Sequence, residues 1–207
     1  GKTLYRFRLL NGSNARVYKI AFSDSRSFSI IATDGGLKDN PVSATQFMLS
    51  PGERVEILVD FSGGTIGNNV TLQSLAYSHS GTLPYKQGIA LDIIRFEIAN
   101  NSSSGGVVPA AFNPITYYDP GTIPPRIFTL TMAGSHPMHR INGLTFDINR
   151  IDWQTPQYSL EKWRIINGTP DFHPMHTHEA QWQVLNRNGN TNLPPNDKGW
   201  KDTVLLN

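Results

Sequence analysis

Leu4-Tyr5-Arg6-Phe7-Arg8-Leu9-Leu10-Asn11-Gly12 is the stretch on which the fold turns. Apolar and polar side chains nearly alternate up to Leu10, the period of a half-buried strand, and Asn11-Gly12 then supplies a turn dipeptide. Runs of the same kind recur at 15–22, 27–33, 44–49, 54–61, 70–77 and 89–98. Between them, Asp34-Gly35-Gly36, Pro51-Gly52 and Gly63-Gly64 provide the positive or preset φ of tight turns. No segment carries a sustained apolar stripe of helical period. Short strands at near-regular spacing predict an all-β sandwich or barrel.

Composition agrees with that class. Glycine (18) and proline (14) are frequent, and only 16% of the 207 residues are charged. At about 100–200 residues per domain, the length allows one large domain or two small ones. Lys+Arg (18) and Asp+Glu (16) nearly balance and no basic cluster occurs, so no nucleic-acid partner is expected. Zero cysteines exclude disulfides, thiolate nucleophiles, iron–sulfur clusters and cysteine-type zinc sites. No run approaches the ~18 apolar residues of a membrane span. The Gly1-Lys2-Thr3 start is neither an initiator methionine nor a signal peptide, and the chain reads as cut from something longer.

Polar, Gly/Pro-rich stretches at 100–109 and 119–125 mark a boundary. The expected organisation is one domain at 1–100, a linker at 101–125, and a second β-rich region at 126–207. Runs at 126–132, 162–167, 181–186 and 201–207 give that region fewer than the ~7 strands of a sandwich, so the second domain is expected to be incomplete.

The six histidines are clustered: His79 alone, His136 with His139, and His173, His176 and His178 within six residues. On a strand, His176 and His178 share a face with Cα atoms about 6.6 Å apart, while His173 falls on the opposite face if Pro174 stays extended. One strand would then serve two places. Imidazole suits copper, zinc, iron and nickel alike, and geometry must choose among them. The competing readings are solvated edge histidines and a single-metal site of the cupin kind. No histidine follows His178 to complete the latter.

His173-Pro174-Met175-His176-Thr177-His178 followed by Gln181-Trp182-Gln183-Val184-Leu185 resembles the penultimate copper-binding segment of the multicopper oxidases, the family of laccases, bilirubin oxidases and bacterial cuprous oxidases. Arg6-Phe7-Arg8-Leu9-Leu10-Asn11-Gly12, Ile31-Ala32-Thr33-Asp34-Gly35-Gly36 and Pro51-Gly52-Glu53-Arg54 resemble the family's middle cupredoxin domain. Ile141-Asn142-Gly143 and Gly199-Trp200-Lys201-Asp202-Thr203-Val204 resemble its last domain, in the bacterial laccase and cuprous oxidase branch. The resemblance implies tandem cupredoxin-like Greek-key β-sandwiches, the second incomplete. It implies one-electron oxidation of phenolic substrates or Cu(I), reduction of dioxygen to water, and a periplasmic or secreted location. By position, His173 would bind type 1 copper, His176 type 2 copper and His178 one of the type 3 pair.

The chain departs from the family where the remaining ligands belong. Type 1 copper takes a cysteine thiolate from a C-terminal His-Cys-His segment, and four more histidines come from an N-terminal domain; this chain holds neither. Both are therefore expected partners, and the chain alone is expected to be inactive. Asp171 lies near the family's acidic substrate contact, and Met132 resembles a substrate-copper methionine, although a turn role and a core role compete. Ser135-His136-Pro137-Met138-His139 repeats the His-Pro-Met-His string and reads as a loop or a labile copper site. His79 reads as an isolated structural histidine. Five Asn-x-Ser/Thr strings, including Asn11-Gly12-Ser13 and Asn167-Gly168-Thr169, read as turns before glycosylation acceptors. The alternative function is a copper-free cupredoxin-fold structural protein, like the bacterial cell-division relatives of these oxidases.

Overall fold

The computed structural model describes residues 1–79, 81, 87–101, 105–133 and 138–207. The first eight strands are β1 (Leu4–Leu10), β2 (Tyr18–Phe22), β3 (Phe28–Thr33), β4 (Gly36–Ala44), β5 (Gln46–Leu49), β6 (Arg54–Asp60), β7 (Asn69–Ser74) and β8 (Leu91–Glu97). They form two four-stranded sheets, ordered β1-β6-β3-β4 and β5-β2-β7-β8, with every pairing antiparallel.

Strand β6 shows why this sequence makes a sandwich. Val55, Ile57 and Val59 are fully buried, while the alternate positions Arg54, Glu56 and Leu58 are only partly covered. Across the gap, Ile20 and Phe22 of β2 and Val70 and Leu72 of β7 complete one apolar core with Phe28, Ile30, Phe47 and Phe61. Each such side chain contributes about 1.5–3 kcal/mol of transfer free energy. Aromatic contacts tie the layers together, with Phe28 and Phe47 edge to face at 5.7 Å and Phe7 and Phe96 tilted at 5.2 Å. Outside, Glu56 accepts from Arg6 Nε at 2.6 Å and meets Arg8 at 3.3 Å, pairing charges across β1 and β6.

Two local expectations change in three dimensions. Asn11-Gly12 is a turn but joins no hairpin, because β1 and β2 lie in different sheets. Asn11 is buried; its amide donates to the carbonyls of Arg16 and Leu49 while its Oδ1 receives Ser13 N. The side chain thus pins a crossover. Residues 36–44, which carry Asp39-Asn40-Pro41 and weak strand propensity, form the edge strand β4. The register jumps from Ile30↔Val42 to Ala32↔Leu37, leaving 38–41 as a bulge, a position where an edge tolerates proline.

The second region contains β9 (Arg126–Ala133), β10 (Met138–Ile141), β11 (Trp163–Asn167), β12 (His173–His176), a 3₁₀ turn (Pro195–Asp197) and β13 (Thr203–Leu206). β9 is central, antiparallel to β10 and parallel to β11; β12 pairs antiparallel with β13. Phe128 is buried between Trp153 and Trp163, with ring centroids at 4.8 and 4.7 Å. Residues 181–186 do not form the expected strand. Only Trp182 bridges to Lys201, and the neighbouring Gln183 turns its amide to Tyr118 N and Thr116 O, so a side chain replaces the ladder. Of the string 135–139, residues Ser135, His136 and Pro137 lie outside the described residues. His139 sits on strand β10 rather than in a loop. Among the described residues, no helix is long and apolar enough to cross a membrane.

The burial contrast predicts the response to truncation. Ile57→Ala empties space in a closed core and is expected to cost about 2–5 kcal/mol in urea unfolding. Ile93→Ala, on the exposed face of β8, is expected to change stability by less than about 0.5 kcal/mol.

Candidate metal centre

Among the described residues, β12 is paired on one side only. Its antiparallel register sets His173 opposite Leu206 and His176 opposite Thr203, and Pro174 is tolerated because the strand's other edge makes no ladder. Residues three apart on a strand face opposite ways. His173 and His176 accordingly have separate surroundings.

At the first end, Asn167-Gly168-Thr169 forms a polar loop. Thr169 N and Oγ1 both donate to Asn167 Oδ1, at 3.1 and 2.8 Å, and Asn167 Nδ2 donates to the Asp171 carbonyl at 2.8 Å. With its proton spent on Asn167, the Thr169 hydroxyl accepts from His173 Nε2 at 2.7 Å. His173 Nδ1 is left as the lone pair. The His139 ring lies 5.3 Å from His173, and His139 is the cross-strand partner of Met132. Phe172 packs against Tyr77 at 6.0 Å and His79 at 5.7 Å. Asp171 is buried, and a side chain at Gly81 would collide with its carboxylate. Burial first, and the charge of His139 second, hold His173 below the ordinary histidine pKa against the opposing pull of Asp171.

At the other end, the His176 and His178 rings lie 5.1 Å apart, and the His176 side chain is 44% exposed. His176 Nδ1 donates to the Asp202 carbonyl at 2.9 Å and to Thr203 Oγ1 at 3.0 Å; the Thr203 hydroxyl passes its own proton to Asp202 Oδ1 at 2.8 Å. This assigns the Nδ1–H tautomer and leaves Nε2 bare. Bare imidazole nitrogens on both faces are the donors a copper, zinc, iron or nickel ion takes. Among the described residues, no group of three or more His, Asp or Glu is spaced to hold a metal ion.

The peptide that receives His176 is positioned by the first sandwich. Arg54 of β6 forks onto Asp202, Nη1 to Oδ1 at 2.7 Å and Nη2 to Oδ2 at 2.6 Å. Asp34 and Glu53 enclose the Lys201 ammonium at 2.9 and 3.1 Å, and none of the three side chains is exposed by more than 1%. Lys38 Nζ reaches out of the β4 bulge to the carbonyls of Pro195 and Lys198. Gly35 N donates to the Trp200 carbonyl at 2.9 Å, and a Cβ at Gly35 would stand 2.4 Å from Trp200 Cβ, so this approach requires glycine. Burial pulls the Lys201 pKa down, but Glu53 and Asp34 together outweigh it and hold it above the ordinary lysine value. The fork of Arg54 draws Asp202 from 3.8 to about 2.

The structure thus brings the His139 ring to His173, with Met132 opposite His139 on β9, His79 against Phe172 and Asp171 in the adjoining loop, and sets His176 and His178 together at the other end. Sequence reasoning singled out His173, His176, His178, Asp171 and Met132; β12 ends at His176, so His178 stands in the bend beyond the strand rather than on a shared strand face. The same reasoning set His139 in a loop and His79 apart, and it read Arg54 and Lys201 within family-like strings but gave them no role. The repeated His-Pro-Met-His string was the available signal for His139. Those strings do not disclose the roles of Arg54 and Lys201, whose partners lie about 150 positions away in sequence.

Two outcomes follow from these charges. Lys201→Met leaves two buried carboxylates facing each other and is expected to destabilise the fold by about 3–5 kcal/mol in denaturant titration. Because the folded pKa of Asp202 is depressed, its contribution is complete above the ordinary value of 3.8 and fades as pH falls toward about 2. The stability gap between wild type and Asp202→Asn should therefore be constant from pH 7 to about 5 and close on acidification below about 4.

Comparison with known proteins places these features. Two family models, both described as multicopper oxidase, match residues 1–97 and 119–207. The cell division protein FtsP of Dickeya dadantii is 34% identical over 97% of this chain and 42% of its own length. Bilirubin oxidase of Albifimbria verrucaria is 31% identical over 98% of this chain and 37% of its own. Among solved structures, the laccase-like multicopper oxidase CueO of Ochrobactrum sp. superposes with a TM-score of 0.84 at 30% identity, covering all of this chain and 47% of that one. McoA of Aquifex aeolicus, in its 2F4 variant, gives 0.83 at 28% identity, over 99% of this chain and 47% of that one. The chain spans less than half the length of these relatives. The two matched family models and the paired cupredoxin-like sheets show that this chain belongs to the multicopper oxidase family.

Proposed function

We propose that this chain is part of a laccase-like oxidase that takes single electrons from phenolic substrates or Cu(I) and delivers them to dioxygen, forming water. Residues 1–100 serve as the family's middle domain, 101–125 as a linker, and 126–207 as the first part of its copper-binding last domain. The observation that carries this reading is the division of labour along β12. His173 offers Nδ1 on one face and His176 offers Nε2 on the other, with each remaining nitrogen already engaged. His173 is assigned to type 1 copper, His176 to type 2 and His178 to one type 3 ion. Bound copper would supply reversible one-electron chemistry between the two ends. The chain's own residues orient the imidazoles, fix their tautomers and hold β12 against β13. The rest of each ligand shell, including the type 1 thiolate, is assigned to an N-terminal domain and a His-Cys-His segment of the intact protein, since this sequence contains no cysteine. Asp171, two residues before His173, and Met132, the cross-strand partner of His139, are assigned to the substrate end. A periplasmic or secreted location belongs to the same proposal.

The second reading is a cupredoxin-fold structural protein of the cell-division type, favoured by the 34% identity to FtsP. Copper content, blue thiolate-to-copper absorbance and dioxygen consumption of the intact protein separate the two. The oxidase reading expects all three signals. His176→Ala should lower dioxygen consumption by more than about 100-fold, beyond the cost of losing a supporting hydrogen bond. His173→Ala should abolish the blue band. A protein that binds no copper and consumes no dioxygen with phenols or Cu(I) would establish the structural reading instead.

A further inference from the structure

We infer that Arg54 is a positioning residue for His176, acting across the junction between the first sandwich and the second region to set which imidazole nitrogen faces outward. The guanidinium is anchored on its own side, where Nη1 donates to the Gly52 carbonyl and Nη2 to the Asp34 carbonyl, both at 3.0 Å. From there it grips both Asp202 oxygens, a planar two-pronged bond that fixes direction as well as distance. The Asp202 carbonyl then accepts two donors, His176 Nδ1 at 2.9 Å and Thr177 N at 3.0 Å. Held by Arg54, Asp202 Oδ1 takes the Thr203 hydroxyl proton at 2.8 Å, which leaves Thr203 Oγ1 a lone pair for His176 Nδ1. A carboxylate released from Arg54 gives up that hold and frees the Thr203 proton to donate to Nδ1 instead. The ring is thereby held by a backbone carbonyl and Thr203 Oγ1, in one orientation, with Nε2 exposed.

This assignment rests on the proposed metal-binding role of His176 for its significance but not for its test. In the intact, copper-free protein with ¹⁵N-labelled histidine, His176→Gln identifies the His176 signals. The wild type is expected to show Nδ1 protonated and Nε2 bare. Arg54→Met is expected to give a mixture of tautomers, and Zn(II), used as a diamagnetic probe, should bind His176 about 10–100-fold more weakly. Arg54→Lys retains the charge without the fork, should shift the tautomer in the same direction, and carries the test if Arg54→Met does not fold. A purely structural Arg54 would lower stability and leave the tautomer alone. An Nε2-protonated His176 in the wild type, or an unchanged tautomer in the folded variants, overturns the assignment. A locked Nδ1–H tautomer in a protein that takes up no copper supports it while removing the oxidase reading.

Discussion

The ammonium of Lys201 is sealed from water between Asp34 and Glu53, and the orientation of the second region on the first depends on that contact. Glu53 is itself tethered by Ser50, whose amide and hydroxyl donate at 2.7 and 2.9 Å. A lone buried carboxylate would be costly to ionise; two of them around one lysine, with Arg54 3.8 Å from Asp34, bring the local charge close to balance. Such an arrangement tolerates little displacement, because moving any member leaves another charge without a partner in a medium of low polarity. It therefore acts as a geometric stop more than as a source of net stability.

Around that stop the remaining junction contacts are directional. Lys38 caps carbonyls near the 3₁₀ turn, Asn196 Nδ2 donates to the Met48 carbonyl at 2.8 Å, and Thr33 Oγ1 donates to the Trp200 carbonyl at 2.7 Å. Most engage backbone groups of 195–203, so the first sandwich shapes the path of that segment rather than merely touching its side chains. β13 begins at Thr203, and β12 has no other strand to pair with among the described residues. The histidines are consequently placed by a chain of supports that runs from β6 through Arg54 and Lys201 to β13 and then to β12.

That chain also explains the unequal surroundings of the imidazoles. His173 sits behind the Asn167–Thr169 loop and beside His139, partly withdrawn from solvent. His176 and His178 face outward. A strand joined through one edge can offer two faces with different solvation, which suits donors whose tasks differ. The aromatic group Tyr77, His79 and Phe172 closes the first end from the side of the first sandwich.

The sequence by itself determined the all-β class, most strand positions, and the division of His173 and His176 between the faces of β12. These are short-range properties: a period of two residues, turn dipeptides and a six-residue motif express themselves wherever an extended strand forms. Tertiary structure decided what local pattern cannot encode. It sent β1 and β2 to different sheets across an apparent hairpin turn, made an edge strand of 36–44 by pairing it with β3, and replaced the expected strand at 181–186 with contacts from the Gln183 side chain. It brought His139 to His173 through the pairing of β10 with β9. It also gave Arg54 and Lys201, which the sequence offered only as members of family-like strings, bridging and buried roles. The partners of these two cations lie about 150 residues away, and only the closed fold makes them neighbours.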